Sequence, residues 1–252
     1  MRIEYLYRYP VKGLSAEALE RAEVAEGRAI PWDRAFALAQ GDAEFDADHP
    51  AWLPKQNFMC GMANARTALL QCLFAERSGM LAIKAPDGSG VAANAFTPKG
   101  RDEIGRFLTA YLGPEARGQP RFHHIPGHVF SDSRIPVISL INLASVRDLE
   151  KHVGARRHRR RFRANIWFSG TPAWSELDWV GREIALGGAV LHVLKRIPRC
   201  AATEVNPLTG ERDASPVKEL REHYGHSDLG VYARVIDSGR FAVGDGIELL
   251  PD

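Results

Sequence analysis

RIPRCAATEVNPLTGE, residues 196–211, sets a single cysteine, Cys200, between an apolar run and a turn. The apolar run, residues 189–195, faces residues 183–186 across Gly187-Gly188 and predicts a hairpin. Past the cysteine, Asn206-Pro207-Leu208-Thr209-Gly210 is turn chemistry. Arg196 and Arg199 lie close in sequence, and nearby cations favour the thiolate, the form that binds metals and attacks electrophiles. Taken alone, Cys200 has two open readings: a small buried hydrophobe, the common fate of a lone cysteine, or a ligating thiol. As a catalytic nucleophile it would need a base, and neither His192 nor His223 has supporting spacing.

Outward from the hairpin, residues 136–142 (PVISLIN) and 164–168 read as strands, and 143–153 as a short helix ending at Gly154. Ser215-Pro216 opens a helix that runs to Gly225, with the cap and Pro-at-N1 signature. Residues 231–236 and 241–250 read as closing strands, turned at Gly244-Asp245-Gly246. The first half is mostly strands. In residues 2–9, Ile3, Tyr5, Tyr7 and Tyr9 alternate with Arg2, Glu4, Leu6 and Arg8, the period of a half-buried strand. Residues 22–26, 34–40, 68–75 and 80–85 follow as strand candidates, and 102–112 as a helix. Residues 115–127, rich in Gly and Pro, read as a link between halves.

Composition excludes several classes. The 252 residues are 45% hydrophobic and 25% charged, an ordinary globular balance. No run of about 18 apolar residues suggests a membrane span, and the first residues do not resemble a secretory signal, so the cytoplasm is the expected compartment. Three scattered cysteines suit neither a disulfide framework nor an iron–sulfur cluster. The basic run RRHRRRFR, residues 156–163, lies in one loop of a chain with net charge +2. It reads as a solvated loop, with Arg161 and Arg163 assigned to an electropositive rim, and not as a nucleic-acid face. His123, His124 and His128 lack the helical frame of a metal motif and read as structural.

Five strings occur in order: YPVKGL (9–14), WDRAF (32–36), FRANI (162–166), RCAATEVNPLTG (199–210) and VGDGIEL (243–249). Together they resemble the MOSC family, named for the C-terminal part of molybdenum cofactor sulfurases and including the amidoxime-reducing components. The first two are similar to the N-terminal β-barrel module that accompanies many MOSC domains, the other three to the MOSC core. The resemblance implies a mixed α/β, β-rich fold. Residues 1–120 would form a β-barrel-like module and 121–252 a MOSC β-barrel core with peripheral helices, the site lying in the cleft between them.

The resemblance further implies a molybdenum cofactor, molybdopterin, with Cys200 as the metal ligand and catalytic residue. Arg163 and Asn165 would contact the pterin or its phosphate, with Lys12 and Arg34 from the barrel module; Asn142 and Thr203 complete the cofactor-binding set. These residue types suit the cofactor: Arg forks onto phosphate oxygens, Asn both donates and accepts, and thiolate matches a metal already held by sulfur. Gly13 stands where the amidoxime-reducing proteins place a hydroxyl residue, and Pro54-Lys55-Gln56 only loosely matches an RQ-type loop. The implied activity is reduction of N-hydroxylated or related N–O/S–O small molecules, with electrons from a separate electron-transfer protein. Two rivals are a non-catalytic carrier of cofactor or sulfur, using Cys200 as a persulfide loaded by a sulfur donor, and a cofactor-free protein with Cys200 in its core. No nucleic-acid or membrane partner is expected.

Overall fold

A computed structural model describes residues 1–251. Strand β1 (Arg2–Arg8) keeps its alternation only in part. Its register slips between Ile3 and Tyr5, which turns Leu6 into the core beside Ile3 and leaves Tyr5 exposed. A bulge of this kind is invisible to a period-2 reading. Strands β2 (Glu17–Leu19), β3 (Arg21–Val24) and β4 (Phe36–Ala39) follow. A meander of β5 (Gln71–Ala75), β6 (Met80–Lys84) and β7 (Gly90–Asn94) then leads into helix α1 (Pro98–Leu112).

That helix begins four residues earlier than its apolar spacing suggests. Thr97 caps it, accepting from the Gly100 amide at 3.1 Å, and Pro98 fills the first turn where its missing N–H costs nothing. Ile104, Leu108 and Leu112 pack with Phe36, Leu38, Phe74 and Ile83 into the core of the first half. Strand β8 (Arg121–His124) lies within the stretch read as a link and pairs antiparallel with β4.

The second half carries β9 (Ile138–Asn142), α2 (Leu143–Val153), β10 (Ile166–Ser169), β11 (Glu183–Leu186) and β12 (Ala189–Pro198). Helix α3 (Pro216–Tyr224) and strands β13 (Asp228–Asp237), β14 (Gly239–Ala242) and β15 (Ile247–Leu249) end it. Eight strands form a curled sheet in the order β15-β11-β12-β13-β9-β10-β1-β2. All five residues of β9 are buried, as expected of a strand covered on both faces, and it runs parallel to β10. Ser215 makes no side-chain cap on α3; instead its amide donates to the Glu219 carboxylate one turn along, at 3.2 Å.

The two halves are interleaved. Strands β1 and β2 belong to the second half's sheet, and β3 pairs with β14. The chain therefore crosses between halves just after β1, where Tyr9–Leu14 lie, and this crossing builds the wall of a cavity. Among the described residues, no helix is long and apolar enough to cross a membrane.

Candidate functional site

Cys200 follows β12 directly and is half-buried. Its carbonyl accepts from the Thr203 amide (3.0 Å) and the Thr203 hydroxyl (2.9 Å), so Thr203 shapes the turn that presents the thiol. The thiol opens into a cavity of about 300 Å³ between the two halves. Lys12, Arg34, Arg163, Asn165 and Thr203 line it together with Cys200. Asn142 does not: its carbonyl oxygen caps α2 through the Ala144 amide (3.0 Å) and its amide donates to Pro172 O (2.8 Å). Asn142 is thus a helix cap, fully buried, and is absent from the cavity wall.

The wall is strongly cationic. Lys12, Arg34, Lys55, Arg161, Arg163, Lys195 and Arg199 face two carboxylates, Asp33 and Asp132. Lys12 donates to Asp132 (2.5 Å) and to Phe130 O (3.0 Å). Burial pushes the Asp132 carboxyl up, but the Lys12 ammonium more than offsets this and holds it below its ordinary range. Arg34 pairs with Asp33 and reaches Asn165 Oδ1 (3.3 Å) and Arg163 O (3.1 Å). Arg161 pairs with Asp213.

Among the described residues, neither Arg163 nor Arg199 forms a carboxylate ion pair; Asp132 and Asp33 attract Arg163, and Asp228 attracts Arg199, only from a distance. Arg163 donates to Leu14 O (2.7 Å), and Arg199 to the carbonyls of Leu229 (2.9 Å, through Nε) and Phe162 (2.8 Å). Burial lowers both guanidinium groups below their ordinary values, Arg199 to about 10. Buried cations satisfied only by carbonyls leave room, electrostatically, for an anion.

Asn165 lines the cavity, yet its amide is engaged within the protein. Its oxygen accepts from Ser139 (Oγ, 2.8 Å) and its Nδ2 donates to Tyr7 O (3.2 Å), which ties β1 to β9. Several lining residues carry no local signal of function. Cys60 shares the cavity with Cys200. Lys55 lines the cavity with Cys200; burial pushes its ammonium down, while Cys200, Asp132 and Cys60 together more than offset burial and hold it above its ordinary value. Gly13 has a steric reason: at φ 87°, a Cβ there would stand 2.7 Å from Met59 O. A hydroxyl residue at that position would displace the loop bearing Cys60.

A larger groove of about 810 Å³ lies elsewhere, lined by Glu20, Arg21, Arg240 and Glu248 over glycine backbone. It holds no cysteine, so the smaller cavity, which holds Cys200, is the candidate site. His123, His124 and His128 pack against Phe45, Phe36 and Phe130, and burial lowers all three. Among the described residues, no group of three or more His, Cys, Asp or Glu is placed to hold a metal.

Family models match almost the whole chain: a MOSC N-terminal beta barrel domain over residues 1–115 and a MOSC domain over 128–248. The chain belongs to the MOSC family. Its relatives include mitochondrial amidoxime reducing component 2 of Rattus norvegicus, 28% identical over 61% of this chain and 54% of that protein. Molybdenum cofactor sulfurase of Caenorhabditis elegans is 30% identical over 40% of this chain and 15% of that protein. The chain thus spans about half of the former and a small part of the latter. The YUAD protein from Bacillus subtilis aligns over 98% of this chain and 94% of its own, with a TM-score of 0.46 and 15% identity.

Proposed function

We propose that this MOSC protein holds a molybdenum cofactor in the cavity, with the Cys200 sulfur at the metal. On this reading it reduces N-hydroxylated or related N–O and S–O compounds with electrons from a separate donor protein. The observation that carries the reading is the wall itself: Cys200 lines a cavity with seven cationic residues against two carboxylates, and among the described residues Arg163 and Arg199 form no carboxylate ion pair. The residues fit the group. One presented thiol suits a metal that arrives with its own organic sulfur ligands, and the uncompensated guanidinium groups suit a phosphate-bearing anion.

When bound, the cofactor supplies two-electron removal of oxygen. The chain's residues do the rest. Cys200 binds, and Thr203 fixes the turn that aims it. Arg163, Arg34 and Arg199 would hold the anion, and the Lys55 ammonium, beside Cys200 in the wall, would favour the anionic form of the ligand sulfur. Each turnover of an N-hydroxyl substrate takes two electrons and two protons, breaks the N–O bond and releases the oxygen as water.

The test supplies metal-loaded protein with a chemical reductant and a panel of amidoximes, hydroxylamines, N-oxides and sulfoxides. Reduction of at least one class, lost in Cys200→Ser, is expected. Loaded protein that reduces none of them is a carrier, and the oxidoreductase reading fails.

A further inference from the structure

Tyr9 carries two guanidinium groups over one ring. Arg34 Cζ lies 4.6 Å from the ring centroid and Arg163 Cζ 4.4 Å. The ring is 1% exposed, and its phenol donates to Ala164 O at 3.3 Å. Both arginines hold left-handed backbone, φ 53° at each. Residues with side chains rarely adopt that region unless their surroundings impose it, and such residues gather at ligand clamps.

The surroundings here converge on Tyr9. Its carbonyl accepts from the Arg34 amide at 2.7 Å, and its amide donates to Asp33 Oδ1 at 2.8 Å. Arg34 then reaches the Arg163 carbonyl at 3.1 Å. Two like charges set this close repel each other. Asp33 pairs directly with Arg34 and attracts Arg163 only from a distance, so the negative face of the aromatic ring is the feature in contact with both.

We propose that Tyr9 is the positioning residue of the anion clamp: its ring holds Arg34 and Arg163 together so that one phosphate-like oxyanion bridges both. The inference rests on reading the cavity as an anion site. It adds that the spacing of the two cations is set by a residue that itself makes no contact with the anion. Loss of the ring lets the guanidinium groups separate and leaves two weak contacts in place of one chelate.

The experiment titrates cofactor-free protein with inorganic phosphate by calorimetry. Tyr9→Phe should bind like the wild type, because the ring and not the hydroxyl does the positioning. Pentafluorophenylalanine at position 9 keeps the shape of phenylalanine but reverses the ring's charge distribution; binding about tenfold weaker than in Tyr9→Phe is expected. Equal binding by those two variants, at equal thermal midpoints, overturns the proposal, since a purely packing role is blind to fluorination. Placed on Arg163→Ala, the fluorinated ring should produce a smaller loss than on the intact clamp; full additivity counts against Tyr9 acting through Arg163. Wild-type protein that does not bind phosphate also overturns it. Phosphate binding by wild type that carries no molybdenum would remove the cofactor reading and leave the role of Tyr9 standing.

Discussion

The arginines of the 156–161 run and those at the cavity, Arg163 and Arg199, differ in what answers their charge. In the run at 156–161, Arg156 pairs with Glu150 (3.1 Å), Arg157 with Glu219 (2.6 Å) and Arg161 with Asp213. Arg159 stacks over Tyr5 at 3.8 Å and donates to the Tyr7 hydroxyl. Around the cavity, among the described residues, Arg163 and Arg199 hydrogen-bond carbonyl oxygens and lie over the rings of Tyr9 and Phe162. The densest charge in the sequence is therefore largely answered within the protein. Charge left unanswered in the folded protein marks where a ligand belongs.

The comparison can be broken at several points. The largest effect is expected at the thiol. Cys200→Ser should take molybdenum from near one atom per chain to near none, read by metal analysis with the fold checked by circular dichroism. Arg163→Ala should lower molybdenum content about tenfold or more while leaving the thermal midpoint unchanged or raised, because no carboxylate is left unpaired. A falling midpoint with unchanged metal would mean that Arg163 serves the fold and not the ligand.

A smaller effect concerns a buried charge of the opposite sign. Glu176 is fully buried, its carboxylate accepts from the Ser145 hydroxyl (2.8 Å), and burial raises it above its ordinary value. With the folded value above the unfolded one, its contribution to stability is complete below the ordinary carboxylate range and is lost as pH rises through the folded value. Glu176→Gln should then raise the midpoint by a few degrees at pH 7 and hardly at all at pH 4. A midpoint that falls at pH 7 contradicts this. The smallest effect is expected in the paired run: Arg156→Ala, at an exposed guanidinium, should cost about 1 kcal/mol or less and leave molybdenum content alone.

Much of the fold is legible locally. Hairpin, helix and cap signals place β11, β12, α2 and α3 close to where they lie, since each is fixed by residues adjacent in sequence. The start of α1 at Thr97-Pro98 was written in the same cap chemistry but masked by an apolar face that begins only at Ile104. Strand β8 hides in a Pro/Gly-rich stretch because its partner, β4, lies some eighty residues earlier.

The site divides the same way. Cys200, Arg163, Lys12, Arg34, Asn165 and Thr203 stand in short motifs and meet at one cavity. Asn142 also stands beside a motif, but its position directly before a helix is a capping signal and decides its role. Cys60 and Lys55 come to the cavity from the first half and Asp132 from the segment before β9, and no local pattern records that meeting.

The central claim is that the thiol and the unanswered cations together hold a molybdenum cofactor. Metal analysis of wild-type protein, freshly purified from a host that makes the cofactor, tests it most directly. Molybdenum near one atom per chain is predicted; protein free of molybdenum from that host would contradict the account.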